Sequence, residues 1–146
     1  MNLIELDAAL REFTPIYEAK WLAAMRAKFG ITEPDDASDG QLITEFLQFL
    51  QEQSLDFTQA FHSLAQDNEW TRPWRARQTA PPRNPVYIPR NHLVEEVLAA
   101  AQDNDLTPFQ TLLDVLTDPF TERPGLEKYA QPAPDGNPNY RTFCGT

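Results

Sequence analysis

The chain has 146 residues, 41% of them hydrophobic and 23% charged, which is enough apolar material for one modest core and too much for a disordered chain. Its formal net charge of −10 repels phosphate backbones and anionic lipid, which argues against nucleic-acid or membrane binding by general electrostatics. Its one cysteine, Cys144, excludes an internal disulfide framework and any multi-cysteine metal site.

No stretch reaches the roughly 18 apolar residues of a membrane span. The N-terminus "MNLIELDAALREF" carries acids early and lacks an apolar signal core. A soluble, cytoplasmic protein is the expectation.

In chain order, Thr14 and Pro15 suggest the cap and first position of a helix, where a missing N–H costs nothing. Leu22, Met25 and Phe29 share one face of it, widened by Trp21. Gly30 is placed to end this helix in the left-handed conformation, with Ile31 folding back onto Met25. Ser38 and Gln41 have capping-box spacing before "QLITEFLQFLQEQ", the most hydrophobic helix. Leu42, Ile43, Phe46, Leu47 and Leu50 give that helix a broad apolar face, and it is the expected core centre. Asp56 and Gln59 repeat the cap pattern before "FTQAFHSLAQ", where Phe57, Phe61 and Leu64 line up.

Over 67–90, Trp70, Trp74 and five prolines break any long helix, and the reading is an ordered connector with one or two short turns. "NHLVEEVLAAAQD" is helical, with Asn91 as the expected cap and a stripe of Leu93, Val94, Val97, Leu98 and Ala101. Thr107, Pro108 and Gln110 predict a further capped helix, "PFQTLLDVL". From Pro119 onward, prolines and glycines predict an extended tail. The result is an all-α, single helical domain over 1–146: a first helical part at 13–66, a Pro/Trp connector at 67–90, a helix pair at 91–117 and a tail at 118–146.

Chemistry is sparse. "DDASDG" fails as a calcium loop, because its third ligand position is Ala37 and its twelfth is Phe46. His92 and Glu96 lie one helical turn apart, but two ligands do not make a metal site and no motif links them to His62. Arg72, Arg75, Arg77 and Arg83 form the one basic cluster, read as a solvated connector. Neither G-x-x-x-x-G-K-[ST] nor G-x-G-x-x-G occurs, and there is no kinase D-F-G or H-R-D element. No catalytic, cofactor-binding or metal-binding residue is assigned. Cys144, in "YRTFCGT", remains as a thiol that Arg141 would favour as thiolate if the two side chains meet.

The stretch "NPVYIPRNHLVEEVLAAA" (84–101) resembles a signature near the C-terminus of the SelO (selenoprotein O) family of kinase-like protein adenylyltransferases. "LTPFQTLLDVLTDPFTERPGLEKYA" is similar to that family's final helix and tail, and "YRTFCGT" to bacterial members with cysteine third from the end. "YEAKWLAAMRAKFGI", "DGQLITEFLQFLQEQSLDFTQAFHSL" and "WRAR" match its C-terminal helical region in the same order. The resemblance runs from about Thr14 to Thr146, with the segment between "FHSL" and "NPVY" shorter than in the family.

The resemblance implies AMP transfer from ATP to Ser, Thr or Tyr of proteins, with Mg or Mn, in the full-length family. The nucleotide-binding and metal-binding residues of that kinase-like core have no counterpart in this chain, so no cofactor is expected here and the chain alone is expected to be inactive. In some members the terminal cysteine pairs with one in the core, which makes Cys144 a candidate redox residue. The competing reading of Cys144 is a passive surface thiol. The expected partner is the missing catalytic core or another protein. The alternative function is a stand-alone helical interaction module without enzymatic activity.

Overall fold

In the computed structural model residues 3–134 are described, with side chains from residue 10 onward. The described residues form helices joined by turns and loops, with no strand among them, so the fold is all-α. The chain divides into two compact units, Met1–Asn84 and Pro85–Thr146. The connector expected over 67–90 is shared between them, with 67–84 in the first unit and 85–90 in the second.

In the first unit, helix α1 spans Leu3–Phe29 and contains Pro15. The expected start at Thr14–Pro15 is therefore corrected. A proline removes one bond from the backbone ladder, but the favourable residues on either side carry the helix through it. The end of α1 is as expected. Gly30 has φ +73°, its N–H donates to Ala27 O at 3.2 Å, and Ile31 N–H donates to Arg26 O at 2.9 Å. This 5→2 and 6→1 pair is a Schellman ending, and Met25, Phe29 and Ile31 are all buried around it.

Helix α2 spans Asp36–Glu52 and α3 spans Phe57–Ser63. Asp56 caps α3 as read, accepting from Gln59 N–H at 2.9 Å. The cap of α2 is Asp35 rather than Ser38, which sits three residues into the motif and donates its hydroxyl to Asp35 at 2.8 Å. Phe29, Phe46 and Phe61 meet edge to face, with centroids 5.1–5.5 Å apart, one ring from each of the three helices. Such pairs contribute about 0.5–1.5 kcal/mol each beyond their burial. Trp74 packs edge-on to Phe46 at 5.3 Å, and Trp70 stacks on Phe49 at 6.3 Å.

Residues 64–84 make one turn of 3-10 helix, Arg72–Arg75, and then close the helix ends. Carbonyls in the last turn of a helix lack intrahelical donors. Gln78 Nε2 donates to Phe29 O and Leu64 O, Asn84 Nδ2 donates to Lys28 O and Phe61 O, and the N–H groups of Thr79 and Ala80 both donate to Gly30 O. The proline-rich segment is thus held by the carbonyls it satisfies.

In the second unit, α4 spans Asn91–Gln102, α5 spans Thr107–Thr117 and α6 spans Glu127–Ala130. Asn91 and Thr107 are the first residues inside their helices, not the caps, and neither helix has a side-chain cap bond at its N-cap residue. Asp105 Oδ1 accepts from Thr107 N–H at 3.0 Å instead. Val86, Tyr87, Leu93, Val97, Leu112, Val115 and Tyr129 form the core of this unit. The tail expected from Pro119 includes α6 and packs Tyr129 inward, while Pro119 O accepts from Val86 N–H at 2.8 Å.

Candidate functional site

Asp39 is the buried charge of the first unit, with no exposed surface. It lies one turn into α2, and Arg26 lies in the last turn of α1. Asp39 Oδ2 accepts from Arg26 Nε at 2.7 Å and from Asp35 N–H at 2.8 Å, and Oδ1 accepts from Arg77 Nε at 3.0 Å. Arg26 also reaches Asp36 at 2.6 Å, and Arg77 Nη2 donates to Glu33 O at 3.0 Å. Burial alone would raise the Asp39 pKa; the Asp35 N–H and the two guanidinium groups outweigh it and hold it below the ordinary value. A carboxylate kept ionised with both oxygens engaged is a poor proton acceptor and has little room for a metal. Its chemical role is to join α1, α2 and the connector.

This arrangement settles two sequence readings. "DDASDG" is the capped start of a helix whose acids face arginines. The basic cluster is partly neutralised, because Arg77 pairs with Asp39 and Arg75 with Asp67 at 2.9 Å. Among the described residues, no three His, Cys, Asp or Glu side chains come together as a metal site. His92 and Glu96 both lie on α4. Cys144, with Tyr140, Arg141 and Phe143, lies outside the described residues.

The residues of "NPVYIPRN" make structural ties within their own units. In the first, Asn84 is 6% exposed and bridges the ends of α1 and α3, at 2.7 Å to Lys28 O and 2.9 Å to Phe61 O. In the second, the Tyr87 hydroxyl accepts from Arg123 N–H at 2.9 Å beneath the Arg123 guanidinium, which lies 5.4 Å from the ring centre. Buried Arg90 donates Nη2 to Ala130 O at 2.9 Å. Tyr87 also lines a cleft with Glu122, Arg123 and Glu127.

Sequence reasoning passed over one surface. Leu10, Phe13, Ile16 and Tyr17 on α1 are 63%, 62%, 58% and 55% exposed. The rings of Phe13 and Tyr17 stack 5.9 Å apart. The 3,4 spacing of these residues was a readable signal, hidden by placing the helix start at Pro15.

A model of the family described as Protein adenylyltransferase SelO matches residues 1–80, more than half of the chain. The chain belongs to the SelO family. Among its SelO-family relatives, a Protein nucleotidyltransferase YdiU of Mycobacterium sp. (strain KMS) is 46% identical over 160 residues, covering 94% of this chain and 33% of that protein. The protein of the same name from Mycolicibacterium smegmatis is 41% identical over 97% of this chain and 32% of its own length. That of Cereibacter sphaeroides (strain KD131) is 41% identical over 89% and 32%. The chain thus spans about a third of the length of the curated SelO relatives it matches. The Mycobacterium alignment is longer than this whole 146-residue chain, so that relative has residues inside the matched region that this chain lacks.

Proposed function

We propose that this chain is the C-terminal helical domain of a SelO-like protein adenylyltransferase, with a redox-regulatory role carried by Cys144. The observation behind it is the coverage: almost all of this chain aligns with only a third of proteins called nucleotidyltransferases. In this reading the AMP transfer from ATP to protein hydroxyls, and the ATP and Mg or Mn it uses, belong to the remaining two thirds. In support of this reading, the buried carboxylate Asp39 is taken up by Arg26 and Arg77. The chain's contribution is two compact helical units.

The test is incubation of the purified chain with labelled ATP, magnesium or manganese, and an acceptor protein. No label transfer is expected, and transfer by this chain alone overturns the assignment. The redox part has its own test. With one cysteine among these 146 residues, a disulfide at Cys144 takes its second thiol from outside them. A mixed disulfide trapped from cell extracts, with thiol reactivity shifted to lower pH than a cysteine peptide, supports it. An unshifted profile without mixed disulfide overturns it.

The alternative, a stand-alone interaction module, draws on the exposed apolar side chains of α1. It predicts a bound protein partner unrelated to the SelO catalytic portion.

A further inference from the structure

Every described residue of α1 from Leu10 to Lys20 is exposed, so this half of the helix contributes nothing to the core of its unit. Residues on a helix advance by about 100° each. On that count Leu10, Phe13 and Tyr17 fall on one side with Ile16 beside them, while Arg11, Pro15 and Glu18 fall on the other. The core-facing residues Met25 and Phe29 lie about 100° round the helix from the Leu10–Tyr17 stripe. Trp21, which packs against that core, falls between the two, so the stripe extends the apolar side of α1 beyond the core. Two large aliphatic and two aromatic side chains in one row form the kind of patch that marks a protein interface. The stacked pair Phe13–Tyr17 supplies the aromatic anchors common at such contacts.

We infer that the Leu10–Phe13–Ile16–Tyr17 face of α1 docks onto an apolar surface of the remaining, kinase-like portion of the SelO-family protein. The inference rests on the function proposed above. The choice of occupant follows from two observations. The stripe lies wholly within residues 1–80, which the SelO model matches, so it belongs to the part shared with the family. The relatives extend over about three times the length matched here, so a large further body accompanies this region in them. The contact is apolar, so its strength depends weakly on salt.

The experiment compares two proteins by hydroxyl-radical footprinting. One is this chain alone. The other is the Mycobacterium sp. (strain KMS) relative with its matching third replaced by this chain. Loss of labelling at Phe13 and Tyr17 in the chimera is the expected result, and full labelling in both overturns the docking. The same footprint on this chain mixed with the relative's remaining two thirds is the second format, and lack of protection in both formats also overturns it. Phe13→Glu with Tyr17→Glu should leave the helical signal and Tm of the isolated chain unchanged and abolish the protection of Leu10 and Ile16. Protection that appears in the isolated chain as its concentration rises assigns the face to a second copy and overturns the proposal. AMP transfer by the chimera is read separately. An active chimera without protection sinks the docking alone, and a protected but inactive chimera sinks the functional reading alone.

Discussion

Arg77 donates its Nε hydrogen to Asp39 Oδ1 at 3.0 Å, joining the connector to α2 across 38 positions of sequence. Arg26 holds the other oxygen from α1 at 2.7 Å. The fixed point of the first unit is thus a charge with two partners. Removing the carboxylate charge leaves two guanidiniums facing each other, of which Arg26 is only 14% exposed at its side chain. Asp39→Asn should cost about 3 kcal/mol, as for a buried ion pair that loses one member. Arg77→Ala should cost less, about 1–2 kcal/mol, because Asp39 keeps Arg26 and the Asp35 N–H. Urea unfolding of the three proteins measures both, and an Asp39→Asn variant as stable as the parent contradicts the assignment.

The same carboxylate gives a pH dependence. Its folded pKa lies below that of an ordinary aspartate, so between the two values the unfolded chain binds more protons. Its contribution is complete above the unfolded pKa and is lost as pH falls through the folded one. Asp35, Asp105 and Glu127 shift in the same direction through hydrogen bonds to Ser38, Thr107 and the Gly125 N–H. Stability should be level above about pH 5 and fall toward pH 2. The fall should be shallower in Asp39→Asn, and parallel acid limbs for the two proteins rule out Asp39 as a contributor.

Gly30→Ala combines two costs. The residue has φ +73°, and an added Cβ would collide with the Ala80 carbonyl oxygen, which belongs to backbone. Gly125 has φ +85° with open space around it. Gly125→Ala should therefore cost about 1 kcal/mol from backbone strain alone, and Gly30→Ala clearly more, about 3 kcal/mol. Thermal denaturation separates them, and equal losses would show that the close approach of residue 80 is unimportant.

Asn84→Ala removes donors from two helix-end carbonyls, Lys28 O and Phe61 O, in a site that is 6% exposed. A loss of about 2 kcal/mol is expected from two bonds with buried acceptors left behind. Asn84→Asp, which keeps the shape and loses the N–H donors, should be no better. Full stability in Asn84→Asp would show that shape, not donation, is what position 84 supplies.

The helices were legible where one local pattern decided them. Ile43, Phe46 and Leu50 repeat at helical spacing and are buried, and Gly30 followed by Ile31 marked the Schellman ending. Asp56 was legible because the cap and the N–H that donates to it lie three residues apart. The caps at Ser38, Asn91 and Thr107 were misplaced because several polar residues compete there and tertiary partners choose among them. Asp35 prevails over Ser38 because Asp39, held by Arg26 and Arg77, returns a bond to its N–H. That pairing spans 13 and 38 positions, and local spacing carries no trace of it. The family motif around Asn84 and Tyr87 was recognisable, but its work as helix-end and loop ties is visible only in three dimensions.

AMP transfer by the chimera described above tests the central claim most directly. The Mycobacterium relative, the same protein without its matching third, and the chimera carrying this chain are compared with labelled ATP, magnesium or manganese, and an acceptor protein. The account predicts transfer by the relative, its loss on truncation, and its return in the chimera. A folded chimera that transfers no AMP while the intact relative does would contradict it.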